Sequence, residues 1–231
     1  MPVGVRGPFP SEAAANTIYL YEDLWRRGGD VVRERILAHL GRWRSVFARN
    51  CRVEKLDTPL SGDFLSRYHA YGAARSKYRY GLVVCKGPLA GELVAVATFS
   101  AGRPMQRECG TLESYEWVRY ASLPGVRIAG GMGKLLQAFV DDVHPEEVMS
   151  YADLEWSDGG VYRALGFREA GRRAPVDFYV DTLTWERISL AKLARARRYR
   201  AALPDPCSGR YLKIRNLGSI KYLKLYEFTQ R

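Results

Sequence analysis

The chain has 231 residues, 47% of them hydrophobic and 26% charged, with a formal net charge of +11. No apolar run approaches the ~18–20 residues of a membrane span, so the sequence reads as soluble and globular, with one core domain and appendages. Four cysteines (Cys51, Cys85, Cys109 and Cys207) are scattered without a CxxC or a close Cys/His pair. That spacing argues against a metal site or a disulfide framework and for a reducing, intracellular compartment.

Taken in chain order, an aromatic patch "TIYLYEDLWRR" leads into "DVVRERILAHLG", where Val32, Ile36, Leu37 and Leu40 recur at helical spacing and Gly41 marks the end. "SGDFLSRYHAYGAARS" predicts a second helix, with Ser61 or Asp63 as its cap. The period then changes to two. Leu82 to Cys85 and Glu92 to Phe99, joined by a Gly/Pro turn, predict a β-hairpin, and "SYEWVRYA" (114–121) a third strand with Glu116, Val118 and Tyr120 on one face. Leu135, Leu136, Phe139, Val140 and Val143 form a helical stripe that Pro145 closes. "EVMSYADL" reads as a strand, "GGVYRALGF" as a short helix, and "FREAG" with "PVDFYVD" as a final hairpin. Sequential strands with a single crossover helix predict an α+β fold with a mixed sheet.

Between the third strand and the striped helix lies "VRIAGGMGKLL" (126–136). Glycines that lead into a helix gather free backbone amides at the positive end of a helix dipole, which makes an anion site. A phosphate loop of the GxxxxGK[ST] type is excluded, because Ile128 and Leu135 stand where it needs a glycine and a hydroxyl. A dinucleotide fingerprint lacks its βαβ unit.

The order strand, [RQ]xxGx[GA] loop, helix, strand and "YxxLGF" helix resembles the GCN5-related N-acetyltransferases from about residue 78 to 181. The resemblance implies a central mixed, mostly antiparallel sheet flanked by helices. It also implies that Arg127, Ile128, Ala129, Gly130, Gly131, Met132, Gly133 and Lys134 bind the diphosphate of acetyl coenzyme A, and that Tyr162 is the general acid. Met132 departs from the Gly or Ala preferred at its position. A narrower likeness is to phage-borne modules that follow a Vsr-like or homing-type nuclease tail, and to phage acyltransferase-like proteins that act on adenine. It covers "YEDLW" and the acetyltransferase-like stretch, and implies a nucleobase amine as acceptor. The expected partition is a helical N-terminal extension (1–56), the acyltransferase domain (57–181) and a basic C-terminal extension (182–231).

Amine acylation needs a base for the amine proton and an acid for the leaving thiolate. Glu116, on the strand before the loop, and His69, in "RYHAYG", are the candidate bases; Asp153, ending its strand, could orient an amine or base edge, or cap a helix at "WSDGG". From 182 to 231, twelve Lys/Arg face three Asp/Glu, an excess of nine positive charges, with "RARRYR" (195–200) as the densest part. Such a segment attracts DNA or RNA. The rival to an acyl-CoA-dependent enzyme is therefore a nucleic-acid-binding protein that has kept the fold without the catalysis.

Overall fold

The computed structural model describes residues 17–108, 110–190, 192, 195 and 209–227. Most of "RARRYR", Cys109, Cys207 and the first sixteen residues lie outside the described residues. The chain forms two compact units. One comprises Met1–Gly29, Tyr151–Arg163 and Glu169–Tyr222; the other comprises Asp30–Ser150, Ala164–Arg168 and Leu223–Arg231. Among the described residues no helix is long and apolar enough to cross a membrane.

The unit of residues 30–150 carries the glycine loop. It begins in the second half of helix α1 (Glu22–His39), whose axis breaks at Gly28. The helix ends as its glycine predicts. Gly41 has φ +78°, its amide bonds to Ala38 O and the Arg42 amide to Leu37 O, the paired closure that an αL glycine permits. Strands β1 (Arg44–Phe47) and β2 (Cys51–Lys55) flank a 3₁₀ turn, Ala48–Asn50. Helix α2 (Thr58–Tyr68) starts earlier than the sequence pattern suggests: Asp57, not Ser61 or Asp63, is the cap, accepting from the Leu60 amide at 2.8 Å, and Pro59 sits in the first turn. Ser61 is buried and turns its hydroxyl back onto Asp57 O.

Strands β3 (Tyr78–Val84) and β4 (Leu93–Phe99) form the expected hairpin. A strand that the sequence pattern does not announce, β5 (Arg103–Arg107), pairs with a long β6 (Gly110–Ser122). After β6 come β7 (Val126–Ala129), which pairs in parallel with β1, helix α3 (Gly131–Val143) and β8 (Glu147–Asp153), whose part up to Ser150 belongs here. The strand order is β2-β3-β4-β6-β8, antiparallel except for β6 with β8, with β5 on β6.

Both faces of this sheet are covered. On one, Phe139 of α3 stacks on Phe99 at 4.0 Å between centroids, with Tyr78, Tyr80 and Tyr115 edge-on around it. On the other, Phe64 and Leu65 of α2 close over Val96 and Ala121. Each such fully buried large side chain contributes about 2–3 kcal/mol of transfer free energy, which fixes α3 against the sheet and hence the loop at its N-terminus.

The other unit holds α4 (Gly160–Ala164) up to Arg163, β9 (Arg168–Arg173) from Glu169, β10 (Asp177–Asp181), β11 (Arg187–Ser189), β12 (Tyr211–Arg215) and β13 (Ser219–Leu225) up to Tyr222. The hairpin expected over 168–181 does not form. β10 is the centre of an antiparallel β11-β10-β12 sheet, while β9 is neighboured by β13. The local turn signal between β9 and β10 is outweighed by partners drawn from the basic C-terminal stretch, a tertiary effect that local pattern does not encode.

Candidate active site

Strands β6 and β8 pair over three rungs only, Ser114↔Glu147, Tyr115↔Val148 and Glu116↔Met149, and their ladder ends there. The closed end is pinned by a buried charge. Glu147, with no exposed surface, accepts from Arg107 Nε at 2.7 Å and Nη2 at 2.6 Å, and from Ser114 Oγ at 2.5 Å. Just past the ladder, β6 also loses register with β4. Thr98 pairs with Arg119 and Phe99 with Trp117, leaving Val118 as the extra residue of a β-bulge. Side chains then take the carbonyls: Ser150 Oγ donates to Trp117 O, Arg119 Nη1 to Val118 O and Trp117 Nε1 to Arg119 O. From Val118 to Ser122, β6 therefore has β4 on one side and no ladder to β8 on the other.

The loop that opens α3 has a mixed character. Gly130 is the N-cap, exposed and left-handed (φ +76°), and it supplies no capping side chain. The first amide of α3 bonded to a main-chain acceptor is that of Lys134, which donates to Gly130 O, so the amides of Gly131, Met132 and Gly133 precede the helical ladder. An uncapped dipole end of this kind favours an anion.

The side chains of the same stretch are otherwise committed. Ile128 is buried, and a Cβ on Gly131 would stand 2.8 Å from its Cγ2, so Gly131 is glycine because Ile128 packs beneath it. Lys134 does not turn its ammonium to the loop: Nζ donates to Ala48 O at 3.0 Å and Cys51 O at 2.5 Å, capping the 3₁₀ turn. Arg127 lies over the Trp43 ring at 4.7 Å, Ala129 is exposed and Met132 is half-buried.

Arg119 lies within the electrostatic reach of both Glu116 and His69. The Arg119 guanidinium is in the field of Glu116, holds Gly72 O through Nε, and opposes a proton on His69. His69 Nδ1 accepts from the Tyr71 amide at 3.1 Å, and burial, with Arg119 and Arg35 nearby, pulls its pKa down to about 3. The imidazole is neutral at any physiological pH and a weak base. Glu116 is half-buried, with its backbone tied to Ser100 through Ser100 Oγ and the Ser100 amide.

Tyr162 and Asp153 belong to the other unit. The Tyr162 ring stacks on Tyr222 at 5.2 Å, and Tyr222, fully buried, donates to Asp158 O and accepts from Arg163. Gly159 (φ +81°) makes that packing possible, since a Cβ there would lie 2.3 Å from the Tyr222 ring. Asp153 caps a turn: Oδ1 accepts from the Glu155 amide at 3.0 Å, and its carbonyl from Trp156 and Ser157.

The basic segment is largely neutralised where it is described. Arg187 pairs with Asp23, Arg210 with Asp181, Lys213 and Arg215 with Asp177, and Lys192 with Glu186. Hydrogen bonds from Arg215 and Arg210 hold Asp177 and Asp181 down to about 2. Arg119, Ser150, the bulge at Val118 and the Arg107–Glu147 pin were not singled out from the sequence. Each depends on strand register, which local composition leaves unspecified.

No family model and no curated protein matches the chain. Among solved structures it is similar to a chain of the NatC complex bound to Gag peptide and CoA, at 12% identity and TM-score 0.45, covering 77% of this chain and 99% of that one. It is also similar to an acetyltransferase from Bacillus subtilis in complex with CoA (16%, TM-score 0.37, 77% and 99%). A third is a histone acetyltransferase HPA2 and related acetyltransferase from Corynebacterium glutamicum (12%, TM-score 0.40, 93% and 97%). Likenesses this distant do not carry an activity over to the chain, whose chemistry rests on its own strand register, loop amides and side chains.

Proposed function

We propose that the chain is an acyl-CoA-dependent N-acyltransferase that transfers an acetyl or related group to an amine. The observation that carries this is the parting of β6 from β8 beyond Glu116 and Met149, beside a helix whose glycine N-cap leaves its first amides without a side-chain partner. Beyond Arg119 the opened edge offers main-chain hydrogen-bonding groups to the amide-bearing arm of coenzyme A, and the uncapped turn offers donors to its diphosphate. Bound acyl-CoA would supply a thioester whose carbonyl accepts the amine lone pair as the C–S bond breaks.

Glu116 is the base we assign, because His69 is held too far below neutrality to share the proton. Tyr162 remains the acid candidate for the leaving thiolate, on the strength of its "YxxLGF" motif. Lys134 and Ile128 hold the loop from behind. Asp153 shapes its turn. The free thiols of Cys51 and Cys85 are consistent with the reducing, intracellular setting that belongs to the same proposal.

The finer reading of the acceptor is a nucleic-acid-associated amine. It rests on "RARRYR" (195–200), the densest cationic part of 182–231 and outside the ion pairs described above, and on the likeness to phage modules.

Calorimetric titration with acetyl coenzyme A and a thiol-release assay over amine acceptors test the proposal. Glu116→Gln is expected to lower kcat by ~10²–10⁴-fold, the usual contribution of a general base, without changing coenzyme affinity. Absence of binding at millimolar coenzyme would sink the reading.

A further inference from the structure

The β1–β7 ribbon ends at the glycine turn, and its outer face is chemically distinct. Ser45 and Phe47 of β1 face Arg127 and Ala129 of β7, all four exposed, while Ile128 on the alternate face is buried. The Arg127 guanidinium lies 4.7 Å above Trp43, and that of Arg49 4.8 Å above Phe47, whose ring is 47% exposed. Among the described residues no ion pair joins Arg49 or Arg127 to a carboxylate, in contrast to Arg187, Arg210 and Arg215. A guanidinium held above a ring keeps N–H groups that can meet an anion.

Phe47 faces Ala129, the residue before the N-cap, and Arg127 stands three residues before it, about 10 Å along a strand. In coenzyme A, the 3′-phosphate and the purine are each one ribose removed from the diphosphate. Resting on the acyl-CoA reading above, we propose that this face binds the 3′-phosphoadenosine end of the coenzyme, the purine against Phe47 and the 3′-phosphate dianion between Arg49 and Arg127. A four-residue ribbon that stops at an anion site suits one nucleotide better than an extended strand. Charge-assisted, forked contacts to a dianion are the strong ones, so the phosphate should matter measurably.

The test compares acetyl coenzyme A with its 3′-dephospho form by calorimetry on the full chain. The expected result is at least ~10-fold weaker binding of the dephospho form to the wild-type protein. Arg49→Ala/Arg127→Ala should bind both forms equally, at the wild-type dephospho affinity, with an unchanged melting temperature. Phe47→Ala should weaken both forms alike. Coenzyme binding with no preference for the 3′-phosphate, or a preference that survives the double variant, overturns the inference while leaving the acyl-CoA reading in place. Binding of neither form removes that reading and the inference with it. Should the double variant lose affinity for a fluorescein-labelled single-stranded DNA but keep the 3′-phosphate preference, the face belongs to a polymer and the inference is overturned.

Discussion

His69 gives the sharpest physical prediction. Its folded-state pKa is pulled from 6.5 to about 3 by burial and by the Arg119 and Arg35 charges, so the unfolded chain binds a proton that the folded chain refuses. Stability from this residue is fully present above pH 6.5 and is lost as pH falls toward 3. The whole interval is worth on the order of 5 kcal/mol at ~1.4 kcal/mol per unit, and the part between pH 8 and 5 about 2 kcal/mol. His69→Asn keeps an acceptor where Nδ1 meets the Tyr71 amide and removes the titration. Urea unfolding of the wild type should therefore weaken by about 2 kcal/mol more than the variant between pH 8 and 5. In the NMR spectrum the His69 Cε1 proton should stay flat from pH 8 to 4.5. A His69 resonance titrating near 6.5, or an acid dependence that survives the substitution, refutes the burial argument. The same variant reads out catalysis: if the acid limb of the kcat/KM profile disappears with His69, the base is the imidazole and not Glu116.

Four further outcomes follow from the packing. Arg107→Ala should cost ~3–5 kcal/mol in chemical unfolding, because it strands the fully buried Glu147 carboxylate. Gly131→Ala should destabilise by ~1–3 kcal/mol in urea unfolding through its clash with Cγ2 and Cβ of Ile128, and adding Ile128→Val, which keeps both atoms, should not recover the loss. Gly159→Ala, strained by its left-handed backbone and by the Tyr222 ring, should lower the melting temperature by several degrees and broaden the Tyr162 ring signals. Asp177 and Asp181 are held at about 2, below their unfolded range near 4, so the stability they contribute is present above pH ~4 and lost as pH falls to 2; Asp181→Asn should flatten that acid limb in a circular dichroism melt.

The parts of this molecule that are legible in the sequence are those set by local period. The β3–β4 hairpin turns on Gly and Pro and α3 carries an apolar stripe, so both are foreseen, although β3 begins four residues before the expected Leu82 and ends before Cys85. β5 escapes notice because "RPMQR" is polar and contains a proline, and it becomes a strand only by lying against β6. β7 reads as loop for the same reason: "VRIA" is too short to announce itself, and its partner lies some eighty residues upstream. β9 is exposed along its whole length and has no hydrophobic pattern to prefer β10 over β13. The basic segment looks like an unshielded polycation because its counter-charges, Asp23, Asp177 and Asp181, come from other stretches of the chain.

The candidate site shows the same division at closer range. Its glycines and its tyrosine are visible as residue types at fixed spacing, whereas what the glycines do is not: Gly130 turns the chain, Gly131 makes room for Ile128, and the amides of Gly131, Met132 and Gly133 are left for a ligand. The opening itself is made by groups far apart in sequence. Two parallel strands separate stably only if their joined end is held firmly, and here the hold is a fully buried carboxylate gripped by Arg107 and Ser114 at the first rung. Just beyond the last rung, the bulge at Val118 turns β6, and side chains from Arg119, Trp117 and Ser150 satisfy the carbonyls that a partner strand would have taken. A buried ion pair adds little net stability over an apolar packing of the same volume, but it defines register sharply, because any slip leaves a charge without its partner. That requirement explains why Glu147 is kept in the core two rungs from Glu116, where register decides what the opened strand presents.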